Sequence, residues 1–253
     1  MIQHVRHRIR LPDVNFSSQP ESDVYFVLDH ADGRSERIRF HDYDSIYRVP
    51  GLYEQIFYER LKCDSPRFLA QLLNQVLVQS GDDLNRQRVL DFGAGNGMMG
   101  EELSHYGVSR LVGADISAAA EAALDRDRPG FYDAYYVADV TEPDPALKQA
   151  LERWQFTCLT TIAALGYDDI PADAFREAFN LVVDGGWIAF NIKETFLGES
   201  DASGFALFVK HLIAGEFMQL HHLERYRHRI SIEGNPLHYY AVIGRKLAPL
   251  REE

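Results

Sequence analysis

The chain has 253 residues, 46% of them hydrophobic and 25% charged, and a formal net charge of −12. These values exclude wholesale disorder and describe a globular protein able to bury a core without disulfide or metal staples. The acidic balance argues against non-specific binding along a phosphate backbone, which needs surplus Lys and Arg, though not against a local basic patch.

The first residues read as strands. In VRHRIRL, Val5, Ile9 and Leu11 alternate with Arg6, Arg8 and Arg10 at a period of two, with the arginines on a solvated face. VYFVL (24–28) and RIRF (37–40) flank Asp32-Gly33, a hairpin signal. Residues 1–42 are therefore expected to form a small β appendage, and residues 43–253 the main domain. From Tyr53 the pattern turns helical, with Tyr53, Ile56, Phe57 and Leu61 on one stripe. Ser65-Pro66 reads as a helix start, Ser as N-cap and Pro in the first turn. The helix carries Phe68, Leu69, Leu72, Leu73, Val76 and Leu77 and stops near Gly81.

Beyond Arg88, apolar runs alternate with helical patterns. The runs are VLDF (89–92), RLVGAD (110–115), YYVAD (135–139), FTCLTT (156–161) and GWIAFNI (186–192). The clearest helix is 172–183, with Phe175, Ala178, Phe179, Val182 and Val183 on one stripe. This order predicts an α/β fold: a doubly wound, mostly parallel sheet covered on both faces. RYRHRISIE (225–233), Gly234-Asn235-Pro236 and LHYYAVIGRK (237–246) have no helix between them, so the sheet ends in an antiparallel hairpin.

VLDFGAGNGMMGEEL (89–103) carries the chemistry. A strand enters a loop with Gly93, Gly95 and Gly97, and a helix follows. Glycines allow positive φ and close approach of backbone to a ligand, and ligands of open α/β sheets sit beyond the strand ends. Gly95 to Gly100 also satisfies the letters of the G-x-G-x-x-G dinucleotide fingerprint, which makes an NAD(P)-dependent oxidoreductase the competing reading. In the frame that starts at Gly93, Met98 falls where a third Gly or Ala should pack. Asp91, two residues before the first glycine, is also foreign to that pattern.

Acid-x-Gly-x-Gly-x-Gly after a strand resembles the first motif of class I S-adenosylmethionine (SAM) dependent methyltransferases. Val112-Gly113-Ala114-Asp115-Ile116-Ser117 resembles the second, and Val137-Ala138-Asp139-Val140 the third. Asp91 to Asp115 and Asp115 to Asp139 are each 24 residues apart, one strand–helix unit. Val182 to Ile188 resembles the late motif, with Asp184 where the family usually has Pro. The resemblance covers about residues 43–247 and implies a Rossmann-like fold. Tyr53-Glu54, Ser65-Pro66 and GNGMMGEELSHYGVSRLVGADIS are further similar to the Williams–Beuren-region methyltransferase-like group.

The resemblance implies a cofactor site. Asp115 should accept from both ribose hydroxyls and Asp91 should hold the methionine end. Gly93, Ala94, Gly95 and Gly97 should line the backbone against the cofactor. Asp139 and the Val140 N–H should meet the adenine edge, and Ile116 its face, although a plain core role suits Ile116 nearly as well. Thr160 is expected on the methionine side and Tyr53 as a lid, with Tyr43 and Tyr47 as weaker candidates. No catalytic base is assigned; Tyr167, Asp168 and Asp169 lie near the expected acceptor side. The region 160–167 lacks the Asn/Asp-Pro-Pro-Tyr pattern of enzymes that methylate nucleobase or glutamine nitrogens.

The expected reaction is methyl transfer from SAM to a small-molecule acceptor, leaving S-adenosylhomocysteine. A SAM-fold binding or assembly protein without turnover is a third reading. Nucleic acid is disfavoured, and no metal constellation stands out among the histidines. Cys63 and Cys158 are too few for a disulfide framework and fit a reducing, cytoplasmic setting. No signal peptide or membrane span is visible. Open edges on the β appendage leave room for pairing into a homodimer.

Overall fold

The computed structural model describes residues 6–12, 24–141, 143–165, 170–197 and 204–250. Strands β1 (Arg8–Arg10), β2 (Tyr25–Asp29) and β3 (Ser35–Arg39) form a separate antiparallel sheet in that order. Gly33, at φ +88°, closes the β2–β3 hairpin in the left-handed conformation that an L side chain resists. Ile9, Phe26, Leu28 and Ile38 point inward and the arginines outward, as the alternation requires. Helix α1 (Tyr43–Tyr47) and a π-helix over Glu54–Arg60 follow. Ile46, Leu52, Ile56, Phe57 and Leu61 complete the core under the small sheet. The stripe at 53–61 is thus helical but wider than an α-turn: the Leu61 N–H donates to the Ile56 carbonyl at 2.9 Å.

Helix α2 (Ser65–Gln79) starts with Pro66 in its first turn. Ser65 does not cap it. Asp64 holds the cap position, and the Ser65 hydroxyl lies 2.7 Å from Tyr226 Oη and 2.6 Å from His228 Nδ1. The main chain then alternates: β4 (Arg88–Phe92), α3 (Met98–Ser104), β5 (Arg110–Asp115), α4 (Ala118–Asp127), β6 (Ala134–Val137), α5 (Pro145–Arg153), β7 (Phe156–Thr161), α6 (Ala172–Asn180) and β8 (Val182–Lys193). Helix α7 (Phe205–Ala214) leads to β9 (Met218–Ile230) and β10 (Pro236–Lys246). The seven-stranded sheet has the order β6-β5-β4-β7-β8-β10-β9. β6 through β8 are parallel, and β10 runs antiparallel to both neighbours.

One boundary differs from the periodicity. Val182 and Val183 open β8 instead of ending α6, because Val182 pairs with Phe156. The Lys246 ammonium also donates to the Asn180 and Val182 carbonyls at 3.1 and 2.6 Å, fixing that corner. β8 separates the two main cores: Ile188, Phe190 and Ile192 pack with α6 and α7, whereas Trp187 and Ala189 pack with α2. Among the described residues no helix is long and apolar enough to cross a membrane.

Phe175 is fully buried, edge-on to Phe190 and Phe208 at centroid distances of 5.1 and 5.7 Å. Phe175→Ala is expected to lower the unfolding free energy by about 3–5 kcal/mol in urea titrations, through lost burial and the remaining cavity. A loss below about 1 kcal/mol would mean that this aromatic cluster is not part of the cooperative core.

Candidate functional site

The loop between β4 and α3 is shaped by its glycines. Gly93, Gly95 and Gly97 have φ of +73°, +53° and +86°. Their bare α-carbons also face protein atoms. A Cβ would lie 2.7 Å from Ala164 Cβ at Gly93, 2.5 Å from the Tyr47 hydroxyl oxygen at Gly95 and 2.5 Å from Leu124 Cδ1 at Gly97. The Gly93 N–H donates to the Ala114 carbonyl at 2.9 Å, and the Gly95 N–H to Asp115 Oδ2 at 2.8 Å. The loop is therefore clasped to the end of β5. Asp115 Oδ1 accepts from the Ser117 N–H at 2.9 Å. Burial raises the Asp115 carboxyl, against the lowering pull of these N–H donors.

Above this loop opens a cavity of about 630 Å³, at the carboxyl ends of β4, β5 and β7. Of the residues singled out in the sequence, Tyr53, Gly93, Ala94, Gly95, Asp115, Ile116, Asp139 and Val140 line it, as do Tyr43 and Tyr47. Ile116 is 72% exposed, which removes the core reading for it. Asp139 accepts from the Thr141 N–H and hydroxyl at 2.9 and 2.6 Å through Oδ1, and these bonds hold its carboxyl below the usual range. Asp91, Gly97 and Thr160 are not in the cavity wall. Tyr167, Asp168 and Asp169 lie outside the described residues.

Asp91 sits behind the loop. Its Oδ1 accepts from Thr160 Oγ1 at 2.8 Å and its Oδ2 from Tyr132 Oη at 2.6 Å. Burial pushes its carboxyl up to about 6, although both hydrogen bonds pull the other way. The folded state consequently holds this proton more tightly than the unfolded chain, and the contribution to stability falls as pH rises from about 4 to 6. At about 1.4 kcal/mol per pKa unit, the fall amounts to about 3 kcal/mol. Asp91→Asn should abolish it: wild-type minus variant unfolding free energy should decline by about that amount between pH 4 and pH 7. A pH-independent difference in urea titrations would contradict the assignment.

Three supports were not legible in the sequence motifs. Glu54 Oε1 accepts from Asn96 Nδ2 at 2.8 Å and from Arg128 Nη1 at 2.6 Å, and Arg128 Nε reaches Glu101 Oε2 at 2.7 Å. This ties the π-helix to the glycine loop and to α3. The Ser117 hydroxyl donates to Asp44, bringing α1 over the end of β5. Asn191 Oδ1 accepts from the Ala163 N–H at 2.6 Å, while its Nδ2 donates to Tyr226 Oη at 2.7 Å. That bond holds Ala163 at φ +58°, a left-handed conformation an alanine resists by roughly 1–2 kcal/mol. The signals were a Glu beside Tyr53 and an Asn within the apolar run GWIAFNI.

The family model described as "Methyltransferase domain" matches residues 59–231. No curated protein matches the sequence. Among solved structures, the N-methyltransferase NodS from Bradyrhizobium japonicum in complex with S-adenosyl-L-homocysteine aligns with a TM-score of 0.55 at 14% identity, over 82% of this chain and 97% of that one. A candidate RNA methyltransferase from Pyrococcus horikoshii aligns at 0.53 and 14% identity, over 72% and 83%. A Thermoplasma acidophilum protein aligns at 0.51 and 15% identity, over 70% and 84%. At these identities the likeness is one of fold. The family match spans more than half of the sequence, and the chain belongs to the methyltransferase-domain family.

Proposed function

We propose that the chain transfers a methyl group from SAM to a small-molecule acceptor. The observation that carries this reading is the cavity on the glycine loop, with the Asp115 carboxylate at its edge. The residues fit such a cofactor. Asp115 accepts from the Gly95 and Ser117 N–H groups through different oxygens, and its carboxylate has acceptor capacity beyond these two for a vicinal diol. The exposed Ile116 side chain and Val140 offer apolar surface to a purine beside Asp139. The volume of about 630 Å³ lies in the range of small-molecule sites.

When bound, SAM supplies an activated methyl: an acceptor lone pair takes the carbon, the C–S electron pair stays on sulfur, and any acceptor proton leaves to solvent. The protein contributes alignment and exclusion of water. Tyr43, Tyr47 and Tyr53 pack on one another, with the Tyr47 and Tyr53 ring centroids 4.9 Å apart, and wall the cavity opposite the strands. In this reading Asp91, Thr160 and Gly97 act on the methionine end through the loop they support.

The proposal extends to the Williams–Beuren-region group, whose resemblance rests on residues that meet here: Glu54 bonds Asn96 of the GNGMMG segment. It also treats residues 1–42 as an appended unit on a methyltransferase domain of residues 43–253. The first sheet is not continuous with the second, which supports that division. The small N-terminal sheet is the proposed seat of a homodimer, since among the described residues β1 and β3 are its edge strands, and a monomeric mass in light scattering at high concentration would count against it.

Calorimetric titration tests the cofactor. Saturable heat with SAM and none with NAD is expected. Heat with NAD and none with SAM would replace this reading by the oxidoreductase one.

A further inference from the structure

The large chamber of about 630 Å³ runs along the carboxyl ends of four strands. In the order β6-β5-β4-β7, Asp139 and Val140 follow β6, Asp115 ends β5, the glycine loop follows β4, and Ile162, Ala163 and Ala164 follow β7. A ligand whose purine lies beside Asp139 and whose diol meets Asp115 therefore carries its other end past the glycine loop to the turn after β7. That turn packs on the loop. The bare α-carbon of Gly93 faces Ala164, and the Ala164 carbonyl accepts from the Ile170 N–H at 3.0 Å.

Two costs meet at this turn. Ala163 stands at φ +58°, where an L side chain is strained. Its N–H donates to Asn191 Oδ1 at 2.6 Å, and Asn191 is fully buried inside the apolar run GWIAFNI, where an aliphatic residue would need no partners. Pairing of β7 with β8 ends at Thr161 and Phe190, so Asn191 is the first residue of β8 beyond it, and its side chain reaches the turn as the chain leaves the ladder. Backbone strain persists where the surroundings over-determine it, and such positions cluster at functional sites.

The surroundings of Asn191 fix one orientation of its amide. Nδ2 donates to Tyr226 Oη at 2.7 Å, which leaves Oδ1 toward Ala163. The Tyr226 hydroxyl keeps its own proton for Ser65 Oγ at 2.7 Å, and Ser65 its proton for His228 Nδ1 at 2.6 Å. Burial holds the His228 imidazole well below its usual range, so it is neutral and Nδ1 can accept. A flipped amide would set donor against donor at the Ala163 N–H. Three further buried side chains, Ser65, Tyr226 and His228, are thus committed to the orientation of one amide.

We propose that Asn191 is a positioning residue for methyl transfer: its amide holds the Ala163 peptide in the left-handed conformation and so fixes the cavity wall that receives the sulfur-bearing end of the cofactor. This rests on the chamber being the SAM site. Asn191 is not itself in the cavity wall, and it acts through Ala163, which is.

Calorimetry on the full chain tests this with two ligands: S-adenosylhomocysteine, and adenosine, which ends at the ribose. Asn191→Leu should weaken S-adenosylhomocysteine by about tenfold, because Ala163 is then free to leave its strained conformation. Adenosine affinity should stay at the wild-type value. Tyr226→Phe removes the hydroxyl that orients the amide and keeps the ring stacked on Phe68, centroids 4.3 Å apart. It should weaken S-adenosylhomocysteine by about threefold or more, again with adenosine unchanged. Ala163→Gly added to either variant should restore S-adenosylhomocysteine to within about twofold of wild type, since glycine adopts positive φ without the bond. A merely structural role of Asn191 would not be repaired by that substitution. Wild-type S-adenosylhomocysteine affinity in both single variants, an equal loss for adenosine, or no recovery with Ala163→Gly would overturn the proposal. Failure of S-adenosylhomocysteine to bind the wild-type chain would instead overturn the cofactor reading beneath it.

Discussion

The hydrogen bond from the Gly95 N–H to the Asp115 carboxylate is the constraint on which the rest of the site depends. It joins the loop after β4 to the end of β5, so two strand ends and one turn become a single surface. Gly95 stands in the left-handed region, and the Tyr47 hydroxyl occupies the space where a side chain would be. Tyr135 reinforces the same residue, donating to the Gly95 carbonyl at 2.7 Å. Both peptide groups of Gly95 are thereby committed to protein partners. These bonds set the shape that the loop presents to the cavity.

Around that clasp the chain places charges where burial makes them expensive. Asp91 is enclosed behind the loop and Arg128 beside it, the latter held by Glu54 and Glu101. Isolated buried charges would destabilise the fold, but these are hydrogen-bonded. The residues before α2 do comparable work. Tyr43, Tyr47 and Tyr53 wall one side of the chamber, while Ile46, Ile56 and Phe57 from the same segment anchor the small N-terminal sheet. The appended strands therefore reach the site through shared packing, although none of their own side chains lines the large chamber.

Much of this was legible in order and spacing. Strand–helix alternation predicted the parallel sheet, and the turn at Gly234-Asn235-Pro236 predicted the terminal hairpin. Asp115, Ile116, Gly93 and Gly95 stand at the motif positions and line the cavity, because a loop between strand and helix has few ways to fold. What escaped depends on long-range pairing. Thr160 and Asp91 were expected against the ligand, yet they bond each other across β4 and β7 behind the loop. Only strand register brings them together. Val182 and Val183 fit a helical stripe locally, but pairing with β7 outweighs that preference. The Asn191–Ala163 bond joins residues 28 apart in sequence, and no local pattern encodes it.

The most direct test is the affinity of the Asp115→Ala variant for S-adenosylhomocysteine, measured by calorimetry beside the wild-type chain. Under the proposed role of Asp115 at the ligand diol, loss of the carboxylate, which also bonds the Gly95 N–H, should weaken binding by about a hundredfold. The variant should retain a cooperative unfolding transition, since the cores on both sheet faces lie away from this carboxylate. Wild-type affinity in Asp115→Ala would contradict the account.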